Sequence, residues 1–165
     1  MIAVFMEINV LIDEGFRGCL EVSWLHSIAE QVLVAQGADS SVELGLVIAT
    51  QERVQQLNRN YRGKDEPTDV LAFPMLPTKG TPEADLPPFV LPPDEMLHLG
   101  EVIISYPQAV IQAEEHQHSI KREIAILIIH GVLHLLGYEH NKPELKQQMT
   151  AREMEILSQI EKGLS

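Results

Sequence analysis

Ala3 to Ile12 alternate loosely between apolar and polar positions and are rich in Val, Ile and Phe, which predicts a first strand. The period then changes. Leu20, Trp24, Ile28, Val32 and Ala35 recur at helical spacing, with Gly37 following as a stop. Val42 to Ala49 reads as a second strand, after which Thr50 is placed to cap a helix through Val54, Leu57 and Asn58 to about Tyr61, ended by Gly63. Val70 to Phe73 and Leu99 to Ser105 are short apolar runs with strand character. Pro107 suits the first turn of a helix after Ser105, and Ser119 opens another over Ile120 to Leu136. Pro143 to Leu157 predicts a last amphipathic helix, with Leu145, Met149, Ala151, Met154 and Leu157 available for one face.

The helix from Ile120 to Leu136 is apolar on nearly every side, as expected of an element wrapped by the rest of a domain. The order of elements predicts an α+β fold: a single domain over residues 1–165, with about four strands in a mixed sheet and helices packed around that central apolar helix. Neither a repeat nor a linker divides the chain. From Met75 to Pro93 there are six prolines, together with Gly80 and several acids, so residues from about 75 to 98 read as a surface loop, most simply an inert connection.

At 165 residues the chain can bury one substantial core, and its 45% apolar and 22% charged content is that of a soluble globular protein. Cys19 is the single cysteine, which excludes an intramolecular disulfide or a thiolate metal cluster and fits a reducing compartment. The first residues carry Glu7 and Asn9 and no basic start, and the longest apolar stretch, Ile124 to Ile129, is too short to span a bilayer. A cytoplasmic location without membrane attachment is expected. The net charge of −12 argues against a general nucleic-acid coat protein, yet Arg53, Arg59, Arg62 and Lys64 cluster, and Lys121 with Arg122 precede the central histidines.

His130 follows six consecutive apolar residues, a costly place for an imidazole unless something satisfies it. His134 lies four residues on, so a helix brings both rings to one face. Gly137 can take the left-handed conformation that turns the chain back, and His140 then returns toward the same point. Three imidazoles so arranged can hold one divalent ion, zinc by preference, and leave one tetrahedral position for water, the layout of a catalytic site. His26, His98, His116 and His118 lie in polar or terminal settings where solvated or helix-end roles are the ordinary explanation.

The spacing His130, His134, Gly137, His140 is also that of the extended metzincin protease signature. In that signature a Glu directly follows the first His as general base, whereas Gly131 stands there in this chain. A peptidase would lack its proton acceptor.

The stretch HGVLHLLGYEH, from His130 to His140, resembles the signature of the YbeY family of endoribonucleases, or ribosomal RNA maturation factors. Two further stretches match the family, LNRNYRGKDEPTDVLAFP from Leu57 to Pro74 and LGEVIIS from Leu99 to Ser105, and the resemblance extends from about Glu43 to Leu157. Departures are small: Glu139 for a usual Asp, Ala72 for Ser, Glu101-Val102 for Asp-Ile, and a longer proline-rich segment. The resemblance implies a zinc-dependent, single-strand-specific endoribonuclease acting in 3′-end maturation of 16S ribosomal RNA and in ribosome quality control. It implies His130, His134 and His140 as zinc ligands and Arg59 as the catalytic arginine, whose guanidinium can pair with phosphate oxygens and stabilise charge built up during cleavage. The expected partners are single-stranded or ribosomal RNA, the small ribosomal subunit and assembly factors, and not DNA. The alternatives are a metal-dependent hydrolase of another substrate, such as a metzincin-like protease, and a non-enzymatic assembly factor with a structural metal. Asp65, Thr68 and Asp69 read as turn-capping residues, and Tyr138 and Glu139 as residues that orient the ligands or shape the turn.

Overall fold

The computed structural model describes residues 6–37, 41–64, 66, 68–74, 97–138 and 142–161. Strand β1 (Met6–Ile12) leads through a 3-10 turn at Glu14–Phe16 to helix α1 (Val22–Ala35), then β2 (Val42–Ala49) and α2 (Gln51–Arg62). Strands β3 (Val70–Pro74) and β4 (Leu97–Ser105) precede α3 (Tyr106–Glu115), α4 (Ile120–Leu135) and α5 (Pro143–Glu161). The α+β expectation holds, with four strands and five α-helices among the described residues.

Local chemistry sets the helix boundaries. Thr50 Oγ1 accepts from the Arg53 N–H at 3.1 Å, Ser105 Oγ from Gln108 N–H at 3.3 Å, and Ser119 Oγ from Arg122 N–H at 3.1 Å, each satisfying an orphan donor of the first turn. Pro107 sits in the first turn of α3, where its missing donor costs nothing. Gly63 closes α2, its N–H reaching the Arg59 carbonyl at 3.1 Å.

The strand order is β1-β2-β4-β3, with β1, β2 and β4 parallel and β3 antiparallel to β4 at the edge. Alternating side chains then sort onto two faces. Leu44, Leu46, Ile48, Val102 and Ile104 point to the main core, shared with α1, α4 and α5, whereas Val47, Ala49, Leu71 and Ile103 meet Val54 of α2 on the other face. Helix α4 touches α1, α3, α5, β3 and β4, and ten of its residues, including Ile124, Ile128 and Leu133, are buried. It is the central apolar helix that its composition predicts.

Two details differ from expectation. Strand β4 begins at Leu97, so Leu97 and His98 belong to the sheet and not to a loop, with His98 Nδ1 2.9 Å from Glu43 of β2. The rest of the proline-rich stretch, 75–96, lies outside the described residues. On α5 Met149 and Leu157 are buried as expected, together with Ile156 and Ile160, while Ala151 and Met154 are exposed.

Candidate active site

Helix α4 delivers two of the three candidate ligands. The rings of His130 and His134 lie edge to face with centroids 4.6 Å apart, the outcome of a four-residue spacing on a regular helix. Both residues are partly buried at the rim of the core. Beyond them, the Gly137 N–H reaches the His134 carbonyl at 3.0 Å and the Tyr138 N–H reaches Leu133 at 3.0 Å, while Gly137 adopts φ +102°. Gly137 therefore takes the positive φ expected of it just after α4 ends. His140 and Glu139 lie outside the described residues.

The sequence does not flag the next member of the site. Glu153 of α5 places Oε1 2.8 Å from His130 Nδ1, with both side chains about three quarters covered. A carboxylate on Nδ1 keeps the proton there and turns Nε2 outward as the lone-pair donor, the arrangement that typically orients a metal-binding imidazole. Its trace in the sequence is an acid at a buried-stripe position, four residues after Met149 and three before Ile156.

The donor set fits a borderline divalent ion: two imidazoles on one helix face, one of them already oriented by a carboxylate. A second group of donors lies two turns earlier. His116, His118 and Glu123, at the junction of α3 and α4, have ligand atoms within 4.8 Å of one another. His116 has the helix-end role expected of it, exposed at the C-cap of α3, and the turn through Gln117 at φ +57° also sets both rings against the Glu123 carboxylate.

Gly131 explains the missing protease base. A Cβ at this position would lie 2.6 Å from Val102 Cγ1, so the residue after the first histidine faces β4 and not the histidine rings. A glutamate there would enter the sheet.

Arg59 stands exposed in the last turn of α2. Among the described residues its guanidinium pairs with no side chain, and α2 covers the face of the sheet opposite α4. Edge strand β3 lies between these layers: Leu71 and Phe73 face α2, Val70 and Ala72 face the α4 side, and Tyr61 packs edge-on against Phe73 at 5.3 Å. Arg53, exposed at the start of α2, has its Nη1 2.6 Å from Asp13, an ion pair that competes with phosphate for it. Asp69 accepts from Val70 N–H at 2.8 Å, the backbone capping expected of this turn, and also from Gln112 Nε2 at 3.2 Å, a bridge to α3 that the sequence does not indicate, and Thr68 hydroxyl lies 3.4 Å from it. Asp65 lies outside the described residues. Tyr138 hydroxyl is 3.5 Å from Gln36 Nε2, so it contacts the end of α1.

Residues 20–161 match the profile of the family described as Endoribonuclease YbeY. The chain is 54% identical over 140 residues to the endoribonuclease YbeY of Dehalococcoides mccartyi, covering 83% of this chain and 80% of that one. It is 40% identical over 152 residues to that of Chloroflexus aurantiacus, covering 92% and 93%. The solution structure of TM1509 from Thermotoga maritima superposes with a TM-score of 0.56 at 23% identity, covering 94% of this chain and 93% of that one, a likeness of fold. Family profile, close relatives and the arrangement of α4 agree, and the chain belongs to the endoribonuclease YbeY family.

Proposed function

We infer that this chain, acting as one domain, is a zinc-dependent endoribonuclease that cleaves single-stranded RNA and serves 3′-end maturation of 16S ribosomal RNA and ribosome quality control in the cytoplasm. Its partners are then ribosomal RNA, the small ribosomal subunit and its assembly factors. Family membership supports the endoribonuclease activity. The observation that carries the metal centre is the pairing of His130 and His134 on α4, with Glu153 behind the first ring.

His130, His134 and His140 are the proposed ligands. When bound, the ion supplies Lewis-acid chemistry at a phosphodiester. The chain's own residues do the rest. Glu153 holds the His130 proton on Nδ1 and fixes the ring plane. Arg59 binds a phosphate oxygen of the substrate and compensates negative charge as the P–O bond breaks. A single strand laid across the β3 edge would run from the α2 layer, with Arg59 and Tyr61, to the α4 layer.

The direct test compares cleavage of one labelled RNA, alone and annealed to its complement, by zinc-loaded, chelator-stripped and His134→Ala protein. Cleavage of the single strand only by the zinc-loaded wild type is expected. Equal cutting by stripped protein would remove the metal from the reaction, and equal cutting of the duplex would remove the strand preference.

A further inference from the structure

We propose that His116, His118 and Glu123 form a second metal site, for a zinc-type divalent ion, that staples α3 to α4. Glu123 is the only charged residue in the buried class among the described residues, with 3% of its surface exposed. A buried carboxylate is costly unless opposite charge and hydrogen bonds compensate it. The neighbouring cation does not face it: Arg122 Nε lies 3.0 Å from Glu161. What faces Glu123 is a pair of imidazoles, His116 through Nδ1 at 3.3 Å and His118 through Nε2 in a shorter contact, both on the same oxygen, Oε2.

The spacing of these atoms suits a shared ion. Donors bound at about 2.1 Å around a tetrahedral zinc stand roughly 3.4 Å apart. The three ligand atoms lie within 4.8 Å of one another and the His116 to Glu123 separation is already 3.3 Å, so the short His118 contact must open by about an ångström for the set to close on an ion. Two imidazoles and one carboxylate select a borderline ion over magnesium or calcium, which favour all-oxygen shells.

The backbone holds the donors in place. His116 N–H bonds Gln112 at 2.9 Å, and His118 N–H bonds Ala113 at 3.0 Å, tying the link to the end of α3, while Ser119 caps α4. Only His116 is mainly exposed, giving an ion one open approach. Glu123 precedes His130 by seven residues, about 10 Å along a helix axis, whereas ions that share one phosphate stand about 4 Å apart. The second site therefore serves stability and takes no part in cleavage.

Metal-stripped full-length protein is titrated with zinc by equilibrium dialysis, with thermal unfolding followed at each free zinc concentration. Wild type is expected to bind two equivalents. His116→Ala and His134→Ala should each bind one and the combined variant none. A zinc-dependent rise in unfolding temperature should persist in His134→Ala and disappear in the combined variant. If His116→Ala binds as much zinc as wild type, or His134→Ala binds none, the cluster is held by protons and hydrogen bonds only and the proposal fails. A combined variant that matches His116→Ala in binding one equivalent would instead discredit the His130–His134 site, leaving the two readings separable.

Discussion

His130 Nδ1 lies 2.8 Å from Oε1 of Glu153, a contact that joins the central helix to the C-terminal one across 23 residues of sequence. Glu153→Gln keeps the size of the side chain and removes its charge. Zinc affinity at the His130 site should fall about 10- to 100-fold, the usual consequence of removing such a supporting carboxylate, with helix content unchanged. Competition against a chromophoric chelator measures it. Affinity within twofold of wild type would make the contact incidental.

Arg59 is exposed and unpaired among the described residues, so replacing it should leave the fold intact. Arg59→Glu is expected to abolish RNA cleavage while zinc content and circular dichroism stay at wild-type values, and Arg59→Lys to retain part of the activity, because a lysine keeps the charge but not the fork of donors. Full activity in Arg59→Glu would return this residue to the solvated surface.

Because Arg53 is engaged with Asp13, the exposed cations near the end of α2 reduce to Arg59, Arg62 and Lys64. Single-stranded RNA binding should weaken with salt at roughly 0.7 log units per contacted phosphate, giving a slope of about 2 for three contacts. Arg53→Ala should leave the slope unchanged and Lys64→Ala should make it shallower. A change on losing Arg53 alone would place that residue on the RNA.

Gly131→Ala puts a methyl group against Val102 in a filled interior. Overpacking of this kind typically costs about 1–3 kcal/mol. Urea unfolding should register that loss in Gly131→Ala and a partial recovery when Val102→Ala is added. Recovery separates the steric cause from any loss of helix flexibility.

Much of the fold was legible along the chain because its boundaries are local. Thr50, Ser105 and Ser119 each cap a helix with their own side chains, and Gly63 ends one, so no distant contact is needed to place them. Strand order is a different matter. That β4 inserts between β2 and β3 depends on pairings such as Leu46 with Val102, 56 positions apart, which no local pattern reveals. The histidine pair on α4 was legible from spacing, while Glu153 was hidden next to Arg152 in a helix whose polar residues look solvated. Arg152 in fact reaches Gln36 and the Ala35 carbonyl, anchoring α5 to the end of α1 and thereby placing Glu153. The helix-end setting of His116 and His118 is legible, but their convergence on Glu123 is not, because it involves Gln117 in a left-handed conformation that sequence gives no reason to expect.

The close approach of Val102 to Gly131 also limits what the residue after His130 can be. A metzincin-like base would require glutamate at position 131, and from this chain that single change is sterically blocked by an interior strand whose Val102 pairs with both Leu46 and Ala72. Space would have to open at Val102 first, at the cost of a cavity in the sheet, before the carboxylate could be accepted. Each change alone would cost stability, so the two positions are energetically coupled and would have to change together.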